Sequence, residues 1–209
     1  QHPKAQMRDP ISVEDVMNSR AIADPLKVLD CSLVSDGGAA VVITRRDRAK
    51  DGPHKAITLL GYGEGHAYEH ISQARDLTTS AAVQSGQAAY AEAGLTPDDI
   101  DLLQLYDCFT PALLIQIEDL GFCGKGEGGA WLASGISRPG GSKPMNTHGG
   151  MLSYCHPGNP GAMFGLTEAI TQMRGDAGER QLPKMHTALC HAQGGIMSSH
   201  ATIILGVED

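Results

Sequence analysis

Three short stretches gather the residues that could do chemistry. "LYDCFTP", 105–111, sets Tyr106, Asp107 and Cys108 side by side between an aliphatic run and a Thr-Pro pair. "NTHGGMLSYCHPGNPGAMFG" brings Asn146, His148, Cys155 and His156 into a glycine-rich loop, and "LCHAQGG" carries Cys190 and His191 into Gly194-Gly195. A thiol just before a helix N-terminus meets unpaired N–H groups and the positive end of the macrodipole, which favour a thiolate; Cys108 is therefore an acid/base or nucleophile candidate. A histidine followed by proline among glycines is held by stiff and permissive backbone together, which suits His156 as a base against a substrate. Each residue also has a structural reading: a lone cysteine is most often a small buried hydrophobe, Tyr106 a phenol at a core edge, Asp107 a carboxylate bonding turn amides.

The surrounding pattern says what must position them. "PISVEDVMNSR" reads as a short helix or turn, and Gly37-Gly38 leads into a β-prone run, Ala40 to Thr44. A polar stretch then precedes the strand "AITLLGYG", with a boundary near Gly52. Ala82, Val83, Gly86, Ala89, Tyr90 and Ala93 recur at helical spacing and stop at Gly94. Thr96 and Pro97 restart the chain before "LLQLY", a buried strand that ends in the first stretch. Thr110 as N-cap and Pro111 in the first turn open a helix with Leu113, Leu114, Ile117 and Leu120 on its apolar face. Another helix carries Met163, Leu166, Ile170 and Met173, and "HTALCH" and "ATIILGV" close the chain as strands. Alternation of this kind argues an α/β layered fold, a mixed sheet with helices on both faces, whose C-terminal strand edge would collect the three stretches.

Composition narrows the partners. A formal charge of -8, from 24 acids against 16 Lys and Arg, offers no basic stripe for nucleic acid or an anionic membrane. No apolar run approaches the ~18 residues of a membrane span. Five scattered cysteines without a Cys-x-x-Cys pair argue against a disulfide framework and a structural zinc site, and fit a reducing cytoplasm. No His/Cys spacing matches a metal site, so neither metal nor cofactor is expected. The absence of an initial methionine suggests a fragment or a processed chain.

Taken in order, the motifs resemble the C-terminal half of a thiolase, closest to the sterol-carrier-protein type and its bacterial lipid-transfer relatives. "YDCF" at 106–109 resembles that type's His-Asp-Cys-Phe motif; "GGSKPMNTHGGMLSYCHPG" resembles the loop of the Gly-His-Pro histidine; "DPLKVLDCSLVSDGGAAVVI" resembles the last strand of the family's N-terminal domain. The resemblance divides the chain into residues 1–52, the tail of the N-terminal half, and 53–209, the C-terminal domain.

It implies that His156 activates a nucleophilic cysteine and holds a thioester oxygen, and that Cys108 shuttles a proton at the α-carbon. Asn146, His148, Gly194 and Gly195, on the same loops, are the substrate-binding candidates. The substrate implied is an acyl-CoA thioester, and the first reading is an acyltransferase that makes or cleaves carbon-carbon bonds as the acetyl-CoA acetyltransferases and 3-ketoacyl-CoA thiolases do. Tyr106 departs from the type's histidine, and no residue here sits in the motif of the family's nucleophile, which lies in the N-terminal half. A phenol suits an oxyanion contact or a retro-aldol step, so the second reading is a retro-aldolase on a hydroxyacyl-CoA of the steroid side-chain type. "DLGFCGKGEGG" resembles thiolases that work with a separate zinc-ribbon and OB-fold protein, an accessory partner for that reading. A third reading is a non-catalytic half that binds acyl-CoA or lipid. All three expect the N-terminal thiolase half and a homo-oligomer as partners.

Overall fold

A computed structural model describes residues 2–49, 51–183 and 185–207. Its centre is a four-stranded sheet in the order β3-β6-β5-β4, built from β3 (Ile57–His66), β4 (Leu102–Gln104), β5 (Thr187–Gly194) and β6 (Ser199–Val207). β6 runs antiparallel to both β3 and β5, whereas β4 is parallel to β5 and so needs a long crossover to reach it. A separate small hairpin pairs β1 (Ala21–Ala23) with β2 (Leu26–Lys27). The helices are α1 (Val13–Asn18), α2 (Arg46–Ala49), α3 (Ala82–Ala93), α4 (Thr110–Asp119), α5 (Gly128–Ala133), α6 (Gly150–Ser153) and α7 (Gly161–Arg174). None of the described helices is long and apolar enough to cross a membrane.

Alternation along the strands divides the core in two. Leu103, Leu189 and Ile204 face the cluster that holds Ala82 and Ala89 of α3 with Leu113 and Ile117 of α4; Leu102, Ala188, Cys190 and Leu205 face Ala169 and Met173 of α7. The mixed sheet therefore carries helices on both faces, as the pattern implied. On the α3 face, Gly61, Gly63 and Gly65 lie against the backbone of Ala89, Ser85 and Ala81, so near that a Cβ at any of the three would overlap a carbonyl oxygen. Small residues on both partners let the helix settle onto the strand, and the left-handed Gly94 ends it as expected.

Two expectations require correction. Ala40–Thr44 forms no strand: Val42 and Ile43 are 95% and 89% exposed, and no described segment pairs with them. β-propensity is realised by pairing and packing, and a β-prone run without a neighbouring strand stays irregular. Thr110 is the first helical residue of α4, with Phe109 in the cap position; its hydroxyl donates to Asp30 Oδ1 at 2.9 Å, which ties the helix start to the N-terminal segment. That segment continues along the loops at the C-terminal edge of β4. Cys31 bridges to Phe109, the Ser32 amide donates to the Cys108 carbonyl, and the Leu33 amide donates to that of Met151.

Candidate active site

β4 ends at Gln104, two residues short of the predicted run, and side chains rather than another strand hold Leu105, Tyr106 and Asp107. Asn146 brackets Leu105, accepting from its amide at 2.8 Å and donating to its carbonyl at 3.0 Å. Gln116, fully buried on α4, does the same for Tyr106 at 3.1 and 2.8 Å. Asp107 turns inward and accepts from the Met151 amide at 2.7 Å, beneath Gly150, where a Cβ would overlap the carboxylate. Three consecutive residues are thus fixed by three different loops or helices, which for Leu105 and Tyr106 satisfies backbone groups that burial would otherwise leave unpaired.

Fixed this way, Tyr106 projects its phenol onto the His156 loop. Tyr106 Oη lies 2.8 Å from His156 Nε2, with the rings edge to face at a centroid distance of 5.7 Å. On the far side of the imidazole, Nδ1 is 3.1 Å from Ser32 Oγ, and the His156 amide donates to Ser35 Oγ at 2.8 Å. Burial lowers the His156 pKa below 6.5, which keeps the ring neutral at pH 7. Burial raises the Tyr106 phenol to about 12, with Cys108 and Asp107 adding to the rise, so the proton of the pair rests on oxygen. With the ring proton on Nδ1, facing Ser32 Oγ, the neutral imidazole accepts from the neutral phenol, a two-site proton relay whose outer end is the tyrosine oxygen.

Cys108 is 6% exposed and packs against Ala112, Met151 and Tyr106. The expectation of a lowered thiol pKa is overturned, because burial first and the Asp107 carboxylate second push it up to about 11, outweighing the amides of Phe109 and Cys108 itself. The residue is therefore a thiol, a proton donor, at neutral pH. Gln193 reaches it from the third stretch: its Nε2 donates toward Cys108 Sγ at 3.8 Å, and its Oε1 accepts from Gln116 at 3.2 Å. Gly194 and Gly195 come directly after it, at the end of β5 and in the turn that leaves it.

The substrate-binding candidates separate. Asn146 commits its amide to Leu105, in a left-handed conformation at φ 46. His148 is buried under Tyr154, with ring centroids 5.4 Å apart, and lines a cavity of about 10 Å³ with Gln104, Asp107 and His191. His148 is buried and Asn146 half-buried, and the contacts of both are with the backbone and rings beside Tyr106–Cys108. No group of three or more His, Cys, Asp or Glu among the described residues is arranged to hold a metal ion.

Ser32, Ser35, Gln116 and Gln193 escaped the sequence reading. Polar residues in an apolar helix or at a strand end were the available signal: Gln116 interrupts "LLIQI", and Gln193 comes after "CHA". Ser32 and Ser35 carried none, since their role exists only once residues 31–37 lie across the His156 loop.

Comparison with known proteins identifies the family. Residues 63–207 match the family described as "Thiolase C-terminal domain-like". The chain is 42% identical to a "Steroid side-chain-cleaving aldolase" of Thermomonospora curvata, over 99% of this chain and 53% of that protein. It is 37% identical to an "Acetyl-CoA acetyltransferase" of Methanothermobacter thermautotrophicus, over 93% of this chain and 51% of the relative. Among solved structures, the "Ltp2-ChsH2(DUF35) aldolase" superposes with a TM-score of 0.90 at 38% identity, covering 99% of this chain and 54% of that one. The chain thus spans about half the length of these relatives.

Proposed function

The chain belongs to the thiolase family, whose C-terminal domain it carries, and on that premise we propose that it supplies the proton-transfer half of a retro-aldolase acting on hydroxyacyl-CoA thioesters. One observation carries the reading: the 2.8 Å contact of Tyr106 Oη with a neutral His156 Nε2. The substrate alcohol, β to the thioester carbonyl, gives its proton to Tyr106 Oη as the tyrosine proton passes to His156 Nε2. The Cα–Cβ bond then breaks: the alcohol carbon becomes a ketone, and the bond's electron pair moves into a thioester enolate. The Cys108 thiol protonates the α-carbon, and the imidazolium proton returns to the thiolate through solvent.

This reaction uses no acyl-cysteine, and a Cys108 raised to about 11 suits a donor better than a nucleophile or base. The similarity to the steroid side-chain-cleaving aldolase supports a bulky alcohol substrate of that type. Likeness to the Ltp2-ChsH2(DUF35) aldolase supports an accessory protein beside the thiolase chain, in line with the "DLGFCGKGEGG" resemblance. Exposed Val42 and Ile43 support burial of the 39–44 run against the other half of the fold. Acyl transfer, the reading placed first from sequence, keeps the acetyltransferase similarity in its favour. It yields precedence because it needs a nucleophilic cysteine that no residue of this chain supplies and, in the condensing direction, a Cys108 thiolate.

The test is a direct comparison in the complete protein, with and without its accessory partner. A tertiary β-hydroxyacyl-CoA should give ketone, and 3-ketoacyl-CoA with free CoA should give no thiolysis. An acyl adduct on the protein by intact mass, together with thiolysis, would overturn the retro-aldol reading in favour of acyl transfer.

A further inference from the structure

Behind Cys108, the turn between β5 and β6 holds an unfavourable backbone. Gly195, Ile196 and Met197 all lie in the left-handed region, at φ 57, 56 and 62. A β-branched isoleucine is strained there, and at 60% exposure Ile196 gains little from burial. Something else must hold the turn.

The candidate is a buried chain of hydrogen bonds that ends on it. His200 Nε2 is 3.2 Å from the Met197 carbonyl, His200 Nδ1 is 2.9 Å from His191 Nε2, and His191 Nδ1 is 2.8 Å from Thr202 Oγ1. Thr202 Oγ1 lies in turn 2.8 Å from Ser85 Oγ on α3. The four side chains are buried, and the imidazoles stack at 5.1 Å. A carbonyl can only accept, so the His200 proton sits on Nε2 and leaves Nδ1 bare. His191 must then carry its own proton on Nε2 and accept at Nδ1 from Thr202; the Ser85 hydroxyl beyond it also lies 3.2 Å from the Ala82 carbonyl, which can accept its proton. With both rings neutral the imidazole protons have one consistent assignment, and a proton added at His200 Nδ1 would set two N–H groups against each other.

We infer that His191 and His200 are positioning residues: as a neutral pair in this directed chain they fix the strained 194–198 turn, and so hold the adjoining Gln193 on Cys108. The activity arm of this inference rests on the retro-aldol reading; its structural arms do not. Burial lowers both imidazole pKa values, and each ring's neighbour matters to its charge. His191 faces His200 and, across the small cavity, Asp107 and His148; His200 feels Asp119 of α4 and stands opposite Gly65 of β3, while Ser85 of α3 meets the chain at Thr202. Asp119 is engaged by Thr79, Ser80 and Lys125, and Asp107 by Met151, so neither carboxylate hydrogen-bonds a ring to hold it charged.

Three variants of the complete protein test this. His200→Phe keeps ring volume and removes both contacts; His200→Gln keeps an acceptor and a donor at similar separation; Thr202→Val removes the donor to His191. We expect the Phe and Val variants to lower kcat about tenfold with KM within about threefold, and to speed amide exchange at 194–198 about tenfold, while His200→Gln restores both to within about threefold. Wild-type histidine 15N spectra at pH 7 should show both rings neutral with the proton on Nε2. If either ring carries its proton on Nδ1, or if folded Phe and Val variants keep wild-type exchange at 194–198, the inference is overturned, even where one variant fails to fold. Correct tautomers and a protected turn in a protein that cleaves no hydroxyacyl-CoA would instead refute the proposed function alone.

Discussion

Tyr106 Oη and His156 Nε2 are 2.8 Å apart although fifty residues separate them in the chain, and both are held from behind by groups that touch nothing else in the pair. Gln116 fixes the Tyr106 backbone, and Ser32 and Ser35 fix the imidazole and its amide. A contact so over-determined keeps its geometry before substrate arrives, which is what proton transfer requires. Tyr106→Phe keeps the ring and deletes only the relay oxygen. Its kcat for hydroxyacyl-CoA cleavage should fall by about 10²- to 10⁴-fold while KM changes little; steady-state kinetics on the complete protein checks this, and an unchanged kcat removes the phenol from the mechanism.

Cys108 should be chemically quiet. With its thiol raised to about 11, only about one molecule in several thousand is a thiolate at pH 7.5, and the residue is also buried. Peptide mapping after brief iodoacetamide treatment at pH 7.5 should find Cys108 unmodified while the partly exposed Cys123 reacts. Fast labelling of Cys108 would mean a stabilised thiolate and would remove the thiol as the proton donor of the retro-aldol step.

Gln116 supports both Tyr106 and Gln193, so Gln116→Leu is expected to act on stability and catalysis together. It leaves the Tyr106 N–H and C=O unpaired in a buried site, at about 1–3 kcal/mol for each group. Urea denaturation should show a loss of about 2–4 kcal/mol, and the surviving protein a reduced kcat. Gln116→Glu keeps an acceptor for the Tyr106 amide and should lose less in acid, where the carboxyl can also donate.

The elements were legible in the sequence because each was locally specified. Periodicity and caps gave α3 and α7, and the apolar runs gave β3, β5 and β6 close to their observed bounds. Two kinds of information were not local. Whether Ala40–Thr44 becomes a strand depends on a partner that the residues themselves do not encode. The thiol pKa of Cys108 depended on how deeply the turn would be buried and on which way Asp107 would point; the helix-terminus argument was sound in sign and too small in magnitude. Of the site residues, His156, Cys108 and Tyr106 lie together, whereas Asn146 is bonded to the Leu105 backbone and His148 is buried under Tyr154. A polar residue in a conspicuous motif looks the same on paper whether it faces a substrate or the backbone behind it.

His148 provides a pH test of that internal role. Burial lowers its pKa from 6.5 to about 4, so between those values the unfolded chain binds more protons than the fold does. Its contribution is fully present above pH 6.5 and is lost as pH falls toward 4, amounting to on the order of 3 kcal/mol at most. Asp107, raised to about 6 in the same cavity, works in the opposite direction over pH 4 to 6, so the wild-type curve alone is ambiguous. The difference between wild type and His148→Phe isolates the imidazole: that difference should shift in favour of the variant as pH drops from 6.5 to 4.5, by urea titration at each pH. A difference independent of pH would mean that His148 is protonated within the fold or exposed.

Gly150 and Gly158 form a matched pair for separating backbone strain from site disruption. Both have positive φ, 62 and 72, so alanine at either carries the left-handed penalty of about 1–2 kcal/mol. They differ in surroundings. A Cβ at Gly158 meets nothing within 4 Å, whereas at Gly150 it overlaps the Asp107 carboxylate and threatens the Met151 amide bond that holds it. Gly158→Ala should therefore be destabilised by only that backbone term, with kcat within about twofold of wild type. Gly150→Ala should be destabilised by about 2–3 kcal/mol more and should lose activity even where it remains folded, because displacing Asp107 moves Tyr106 and Cys108 on either side of it. Equal effects of the two substitutions, in thermal unfolding and in turnover, would show that Asp107 can relocate without disturbing its neighbours, and would remove it from the set of residues that shape the site.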